Sequence, residues 1–295
     1  MSLLRAARAA SLALALAATA SAVSSVAAFS AARAEPVERS ADGLRLGGEL
    51  VRAGEVKDGV VLLVHGTLAH HRMELIQALQ TALKERGLSS LAVTLSLGLD
   101  ARTGMYDCAQ PHRHRHADAV GEIAGWVAWL KGQGAGPVTL LGHSRGGNQV
   151  ARYLAGAPDG AVARAVLLAP ATGEPPANRE TVLAAAEGKP DDAMVDVPAL
   201  LYCGPGRATA GAVRSYYADD ARHDTLSLVG GIRVPLLLVG AADDTVVPKL
   251  VPRLEEVKGR PGVRTAVIDG ADHFFRDLAA EDAADAVAAF IKAAR

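Results

Sequence analysis

A serine stands between glycines at the junction of two different segments, in Gly142-His143-Ser144-Arg145-Gly146. The residues before it, Val138-Thr139-Leu140-Leu141, form an apolar run that predicts a buried strand. The residues from Asn148 to Leu154 that follow predict a helix. The serine therefore occupies a sharp strand-to-helix turn, where glycines let the two elements approach and the hydroxyl is raised above the strand end. A plain tight turn would give the same pattern, so other residues must decide whether this serine is a nucleophile.

A serine nucleophile needs a general base, and that base needs an orienting group. His273 follows the last predicted strand, in "IDGADHFF", and is the candidate base, with an ordinary loop histidine as the alternative. Asp243 and Asp244 follow an earlier strand in "LLLVGAADDTVVP" and are the candidate orienting groups. The order serine, aspartate, histidine is the one expected for a nucleophile on this kind of turn. Turn formation or helix capping is the alternative for the aspartates, and we expect it of one of the two.

The other histidines are predicted to serve elsewhere. His70 and His71 are expected to open a helix, and His223 falls in an irregular segment. Three histidines alternate with arginines in "PHRHRH", namely His112, His114 and His116. Alternating histidines can bind a metal, but the adjacent cations oppose a metal ion, so the pattern favours a solvated loop. We predict no metal site.

Two backbone N–H groups are candidates for stabilising a developing oxyanion. The first belongs to Arg145, directly after the serine, at the positive end of the helix. The second should come from the loop that follows an earlier strand, in "VLLVHGTLAH". There the N–H of Thr67 is the favoured donor and that of Leu68 is the alternative. Such fixed donors stabilise an oxyanion by several kcal/mol in known cases.

Alternating strands and helices must position these residues. Continuous apolar runs at 59–66, 90–98, 138–143 and 162–171 predict buried strands, and 44–52 predicts an early strand at the edge of the sheet. Amphipathic helices are predicted between them, one of which buries a face formed by Ile123, Trp126, Val127 and Leu130. Short connections imply right-handed βαβ units, hence an α/β fold with a mostly parallel sheet covered on both faces.

The alternation breaks from about 172 to 233, where the chain carries five prolines and mixed helical pieces. We interpret this segment as a small lid inserted between two central strands. Loops after parallel strands gather at one edge of the sheet, around the pocket that the lid would cover. Cys108 follows one predicted strand and Cys203 lies in the lid, so a disulfide between them is one prediction. Two separate buried cysteines are the alternative.

The first 34 residues predict a secretory signal peptide. Arginines precede a long run of small apolar residues, and Ala32-Arg33-Ala34 forms a cleavage site before Glu35. An uncleaved membrane anchor is the alternative, although the run is rich in alanine, serine and threonine rather than leucine. We expect residues 35–295 to be a soluble periplasmic or secreted domain, in a compartment that permits the disulfide.

Composition narrows the function classes. Half of the residues are hydrophobic, which is enough for a sizeable core in one domain. A net charge of -1 gives no indication of nucleic-acid binding. Only 4% of residues are aromatic, so stacking platforms for bases or sugars are scarce. A small-molecule substrate is the expected partner.

The chain resembles the α/β-hydrolase fold serine hydrolases from about Leu44 to the C-terminus. The resemblance rests on "VLLVHG", "GHSRGG", "GAADDTVVP" and "GADHFF", in that order. In many relatives the catalytic acid stands four residues before a proline, in D-x-x-V-P, which favours Asp244. The spacing from Gly240 favours Asp243 instead.

The resemblance implies a hydrolase that needs neither metal nor cofactor. Ser144 would form an acyl-enzyme, His273 would act as base and then acid, and Asp244 would orient the histidine. We predict cleavage of a carboxylic ester of a small or medium substrate. A peptidase, thioesterase or acyltransferase could use the same three residues, because fold alone does not separate these reactions. A non-catalytic binding module is the remaining alternative, which the intact serine, aspartate and histidine disfavour.

Overall fold

The computed structural model describes residues 34–156 and 160–293. Apart from Ala34, the predicted signal peptide lies outside these residues. Within the described ranges, no helix is long and apolar enough to cross a membrane.

An eight-stranded sheet forms the centre of the domain. Its strands are β1 (Glu35–Ala41), β2 (Leu44–Val51), β3 (Val60–Val64), β4 (Ser89–Val93), β5 (Val138–His143), β6 (Val162–Leu168), β9 (Leu236–Ala241) and β10 (Val263–Ile268). They lie in the order β1-β2-β4-β3-β5-β6-β9-β10. Neighbouring strands from β4 across to β10 pair in parallel, and β2 pairs antiparallel with both β1 and β4. The mostly parallel α/β sheet predicted from the sequence is therefore confirmed.

Helices cover this sheet in two pairs. α1 (Glu74–Glu85) packs against α8 (Leu278–Ala293), and α2 (Asp118–Gly132) packs against α3 (Arg145–Ala155). The central strands β3, β4 and β5 are buried along their whole length, as continuous apolar runs predict. The predicted buried face of α2 is confirmed, since its four side chains are at most 1% exposed: Ile123, Trp126, Val127 and Leu130.

Two local predictions were wrong. The strand at 44–52 is not the edge of the sheet, because β1 pairs outside it. Asp42 and Gly43, both with positive φ, form the tight turn of this hairpin, and such an Asp-Gly pair is a turn signal that could have revealed β1. His70 and His71 do not open a helix either, because α1 begins later, at Glu74.

The segment between β6 and β9 forms a small substructure, here called the lid. It contains α4 (Arg179–Ala184), the hairpin of β7 (Met194–Val197) and β8 (Gly206–Thr209), α5 (Ala210–Tyr217) and α6 (Thr225–Leu228). α4, β7, β8 and α5 share an apolar cluster that is separate from that of the sheet. Leu226 and Leu228 of α6 instead pack into the core of the sheet, and α6 contacts α3. The lid is therefore anchored to the sheet through α6.

A disulfide joins Cys108 to Cys203, whose Cα atoms are 5.4 Å apart. It ties the long loop after β4 to the lid. Cys203 packs with Leu68 and Tyr106, and the Tyr106 N–H donates a hydrogen bond of 2.9 Å to the Leu68 carbonyl. The cross-link therefore fixes the lid beside the loop that follows β3.

Candidate active site

Ser144 stands between β5 and α3 with φ of 54°, a left-handed conformation that costs a non-glycine residue energy. Its backbone holds that position by hydrogen bonds to the neighbouring strand end. The Ser144 N–H donates to the Leu168 carbonyl at 2.9 Å, and the Ser144 carbonyl accepts from the Ala171 N–H at 3.2 Å. The turn raises the hydroxyl at the carboxyl edge of the sheet.

Two positions of the motif require glycine, because backbone atoms of neighbouring segments lie too close to leave room for a Cβ. A Cβ on Gly142 would lie 2.4 Å from the carbonyl oxygen of Gly146. A Cβ on Gly146 would lie 2.3 Å from the carbonyl oxygen of His65. Any larger residue at either position would push α3 away from β5 or from the loop after β3.

A continuous hydrogen-bond chain links the three residues singled out in the sequence. The Ser144 Oγ lies 2.9 Å from the His273 Nε2, and the His273 Nδ1 lies 2.8 Å from the Asp244 Oδ2. All three side chains are buried. With the imidazole proton on Nδ1, His273 donates to the carboxylate and its Nε2 accepts from the serine hydroxyl.

The structure brings Asp244, and not Asp243, to His273. The second oxygen of Asp244, Oδ1, accepts hydrogen bonds from the N–H groups of Val246 at 2.7 Å and Val247 at 2.8 Å. Burial raises the pKa of the Asp244 carboxyl, but the bonds from His273 and these amides outweigh it and hold the pKa below its usual value. Asp244 is therefore ionised at neutral pH. Asp243 is exposed, and within the described residues its carboxylate makes no hydrogen bond.

His143 is a site residue that the sequence reasoning missed. Its Nε2 donates to the backbone carbonyl of His273 at 2.9 Å, and the two rings lie 4.9 Å apart. Burial, reinforced by the nearby His273, lowers the pKa of His143 to about 3, so its ring is neutral. His143 thus positions the loop that carries His273. Its place inside the motif, next to the serine, was the available signal.

The loop after β3 is held beside the serine by side chains on both sides. The His65 Nδ1 donates to the Gly66 carbonyl at 2.8 Å, and its Nε2 accepts from the Leu95 N–H at 3.0 Å. The Arg145 Nε donates to the Thr67 Oγ1 at 2.9 Å. In the described part of the chain, the N–H groups of Thr67 and Arg145 have no hydrogen-bond acceptor, so both remain available to a ligand. Leu68, the alternative donor, has φ of 58°.

Two cavities meet at Ser144. One, of about 380 Å³, is mainly apolar; four of the six large exposed apolar side chains in the described chain line it, namely Met105, Tyr202, Val246 and Phe274. His273 lines this apolar cavity as well. The other, of about 340 Å³, lies under the lid and includes Arg145, Arg179 and Tyr216 in its walls. We call them the apolar cavity and the lid cavity.

The prediction that "PHRHRH" forms a solvated loop was wrong. The three histidines are at most 2% exposed. His112 stacks on Tyr106, and the other two contact aromatic rings of the lid. His114 bonds through Nδ1 to the Tyr216 hydroxyl at 2.8 Å, and His116 stacks between Tyr216 and His223. Alternation placed His112, His114 and His116 on one side of an extended segment, facing the lid. Across the described residues, no group of His, Cys, Asp or Glu side chains is arranged to hold a metal ion.

The sheet order and the serine at the strand-to-helix turn define an α/β-hydrolase fold. Residues 61–290 match the model of the Alpha/beta hydrolase family, so the chain belongs to that family. The sequence has no significant match among curated proteins.

Solved structures with this fold include several esterases. Est1E from Butyrivibrio proteoclasticus aligns with a TM-score of 0.63 at 21% identity, over 88% of this chain and 98% of that one. A monoacylglycerol lipase from Paleococcus ferrophilus aligns with a TM-score of 0.62 at 20% identity, over 85% and 99%. The esterase domain of a Rhodothermus marinus protein aligns with a TM-score of 0.58 at 20% identity, over 88% and 98%. At these identities the likeness concerns the fold.

Proposed function

We propose that this protein is an exported serine hydrolase that cleaves a carboxylic ester of a small or medium substrate. The observation that carries the proposal is the unbroken hydrogen-bond chain from Ser144 through His273 to Asp244, beside two amides available to an oxyanion. The likeness of the fold to that of two esterases and a monoacylglycerol lipase supports ester hydrolysis as the reaction.

The first half of the reaction forms an acyl-enzyme. The Ser144 Oγ attacks the ester carbonyl carbon while the His273 Nε2 takes the hydroxyl proton. The carbonyl oxygen becomes an oxyanion that accepts hydrogen bonds from the N–H groups of Arg145 and Thr67. The protonated imidazole, stabilised by Asp244, then donates its proton to the leaving alcohol oxygen as the ester bond breaks.

Hydrolysis of the acyl-enzyme repeats these roles with water. His273 takes a proton from water, the hydroxide attacks the acyl carbon, and the oxyanion again lies between the two amides. The proton returns to the Ser144 Oγ as the acid leaves. No other reactant is consumed, and the enzyme returns to its starting state.

Ester hydrolysis by Ser144→Ala tests this proposal. We would measure kcat/KM on p-nitrophenyl esters of increasing acyl length for the wild type, Ser144→Ala and the lid control Ser227→Ala, with circular dichroism to check folding. The Ser144→Ala variant should lose at least about 10³-fold, because the nucleophile is removed. Ser227→Ala should stay near the wild type. A folded Ser144→Ala variant that keeps more than a few per cent of the activity would overturn the proposal.

Export rests on the first 34 residues and is tested separately. Expression of the full chain in a Gram-negative host, followed by fractionation and N-terminal sequencing, should find a periplasmic protein that begins at Glu35. A cytoplasmic protein that begins at Met1 would contradict export and leave the ester hydrolase proposal intact.

A further inference from the structure

Arg145 is a cation at the floor of the lid cavity. Within the described residues, its guanidinium makes no ion pair; its Nε donates to Thr67, and the group lies over the Tyr216 ring, 5.3 Å from the centroid. Burial lowers the pKa of Arg145, yet a guanidinium stays charged at neutral pH. Arg145 is half-buried, and a partly desolvated charge without an ionic partner costs free energy, so a fold that keeps one beside its nucleophile has a place for an anion.

Apart from the cation Arg152, which pairs with Asp220, the groups close to Arg145 are aromatic or neutral. Tyr216, Tyr202 and Tyr217 surround it. His114 and His116 lie nearby, and burial, with Arg145 adding to it, lowers the pKa of His114 to about 3. Both imidazoles are therefore neutral at neutral pH, and they leave the charge of Arg145 uncompensated.

The carboxylates in the wall of the lid cavity are mostly paired with other cations. Glu174 pairs with Lys249 at 2.7 Å, and Asp220 pairs with Arg222 at 2.9 Å and with Arg152 at 3.4 Å. Asp219 is exposed at the rim. A second cation, Arg179, also lines the cavity, where its Nε donates to the Tyr217 carbonyl at 2.7 Å. An anion next to Arg145 would therefore meet positive charge and aromatic rings.

The position of His273 indicates which cavity receives the alcohol part of an ester and which receives the acyl part. The imidazole must deliver its proton to the leaving alcohol oxygen, so the alcohol lies on the side of His273. His273 and Phe274 line the apolar cavity. The acyl part then extends the other way, over Arg145 into the lid cavity.

We propose that the preferred substrates are esters whose acyl part carries a carboxylate and whose alcohol part is apolar, such as alkyl half-esters of dicarboxylic acids. This inference rests on the proposed ester hydrolase function and names its substrate class. The Arg145 guanidinium binds the free carboxylate, for which its fork of N–H donors is suited. The apolar cavity holds the alkyl chain of the alcohol.

The test compares four esters at pH 7.5 by acid release in a pH-stat. Monobutyl succinate, glutarate and adipate vary the distance from the ester carbonyl to the carboxylate, and butyl pentanoate is the neutral reference. The wild type should have a kcat/KM for the best half-ester about tenfold to 100-fold above that for the neutral ester, the gain expected from hydrogen bonds to a charged group. An ester with the carboxylate in its alcohol part, 4-(butanoyloxy)butanoate, should show no such gain.

Variants then assign the preference to Arg145. The ratio of kcat/KM for the half-ester to that for butyl pentanoate should fall at least tenfold in Arg145→Met and recover in part in Arg145→Lys. The control Arg207→Met removes an exposed cation from the lid surface, outside both cavities, and should keep the wild-type ratio. The ratio is the readout because Arg145 also contacts Thr67, so the rate on the neutral ester can change.

The possible results distinguish a failure of the proposed substrate class from a failure of the ester hydrolase function. If the wild type hydrolyses butyl pentanoate at least as fast as every half-ester, the proposed substrate class is wrong but the ester hydrolase function still stands. An unchanged ratio in Arg145→Met leads to the same conclusion. Preference for the carboxylate in the alcohol part overturns the assigned orientation. Failure to hydrolyse any of these esters or the p-nitrophenyl esters contradicts the proposed function itself. If Arg145→Met does not fold, the wild-type ratio and Arg145→Lys decide.

Discussion

Two adjacent aspartates differ by their environment alone. The carboxylate of Asp244 is buried and bonded to His273 and two amides, whereas that of Asp243 faces solvent. The backbone N–H of Asp243 donates to the Ala271 carbonyl, which fixes the turn. One residue of register in the loop after β9 thus decides which carboxylate contacts the imidazole.

We expect Asp244→Asn to lower kcat by about 10³- to 10⁴-fold, because an amide in that place favours the wrong imidazole tautomer and cannot stabilise the imidazolium. Asp243→Asn should lower it by less than about threefold, since its side chain contacts no reacting group. Steady-state kinetics of both variants on the same p-nitrophenyl ester measures the difference. The opposite order of the two variants would show that the bond to Asp244 is not the one used.

For individual residues, the sequence predicted which side chains come together in the site, but not all of the contacts that position them. Motif order brought Ser144 and His273 forward, since both follow predicted strands. Motif order alone could not choose between Asp243 and Asp244, because a shift of one residue in a loop has no signature in hydrophobic pattern. The D-x-x-V-P spacing favoured Asp244. The contact of His143 with the His273 carbonyl joins residues 130 positions apart, and no local pattern reports it.

The turn that carries Ser144 depends on how closely β5, α3 and the loop after β3 approach. Gly146 is the narrowest point, with 2.3 Å between the place of a Cβ and the His65 carbonyl oxygen. The atom that the new Cβ would meet belongs to the backbone and not to a flexible side chain, so the clash can be relieved only if α3 or the loop after β3 moves.

We expect Gly146→Ala to destabilise the fold by about 1–3 kcal/mol, the usual cost of overpacking, and to reduce activity by displacing an amide. The control is Gly121→Ala in α2, where a new Cβ meets nothing within 4 Å. That variant should be more stable by up to about 1 kcal/mol, the helix propensity difference. Urea unfolding measures both. A Gly146→Ala variant as stable and active as Gly121→Ala would contradict the close approach.

The disulfide binds two elements that the sheet does not connect. It closes a loop with a sequence separation of 95 residues between the loop after β4 and the lid. In the chain-entropy model, a disulfide that closes a loop of this length stabilises the folded state by about 4–5 kcal/mol.

The double variant Cys108→Ser/Cys203→Ser should therefore unfold at lower urea concentration than the oxidised wild type, by about 4 kcal/mol. Under reducing conditions the two proteins should unfold alike, which is the control. Alkylation of the unreduced wild type, read by mass spectrometry, should modify neither cysteine. Two alkylated thiols would contradict the cross-link.

Helices and strands could be predicted from the sequence where their apolar residues recur with a clear period. The central strands and the buried face of α2 followed from their apolar patterns. The edge strand β1 was missed because its exposed, polar side chains give no apolar run. The buried histidines of "PHRHRH" were misjudged because their partners, such as Tyr216, are about 100 residues away and belong to the lid.

Across the whole molecule, buried neutral histidines make stability depend on pH. Burial lowers the pKa of His65, His114 and His143 to about 3 and that of His71 and His112 to about 4. In the unfolded chain these imidazoles bind protons near pH 6.5. Between those values the unfolded state holds more protons, so acid favours unfolding.

We expect the free energy of unfolding to be constant from about pH 7 to about pH 9 and to fall as pH drops from about 6.5 towards 4. Each buried histidine adds about 1.4 kcal/mol per pH unit to the slope within that window. His116 is also buried, and its pKa is lowered well below the usual value. His116→Phe should therefore reduce the slope of the free energy of unfolding against pH by the contribution of one histidine. Urea unfolding at several pH values measures this, and a slope that His116→Phe leaves unchanged would contradict it.

The central claim is that Ser144 is a nucleophile activated by His273, and covalent labelling by a fluorophosphonate tests it most directly. The account predicts that the wild-type protein gains one label, that peptide mass spectrometry locates it on Ser144, and that labelling slows by orders of magnitude in His273→Ala. A wild-type protein that takes up no label, or a Ser144→Ala variant that is labelled as fast as the wild type, would contradict the account.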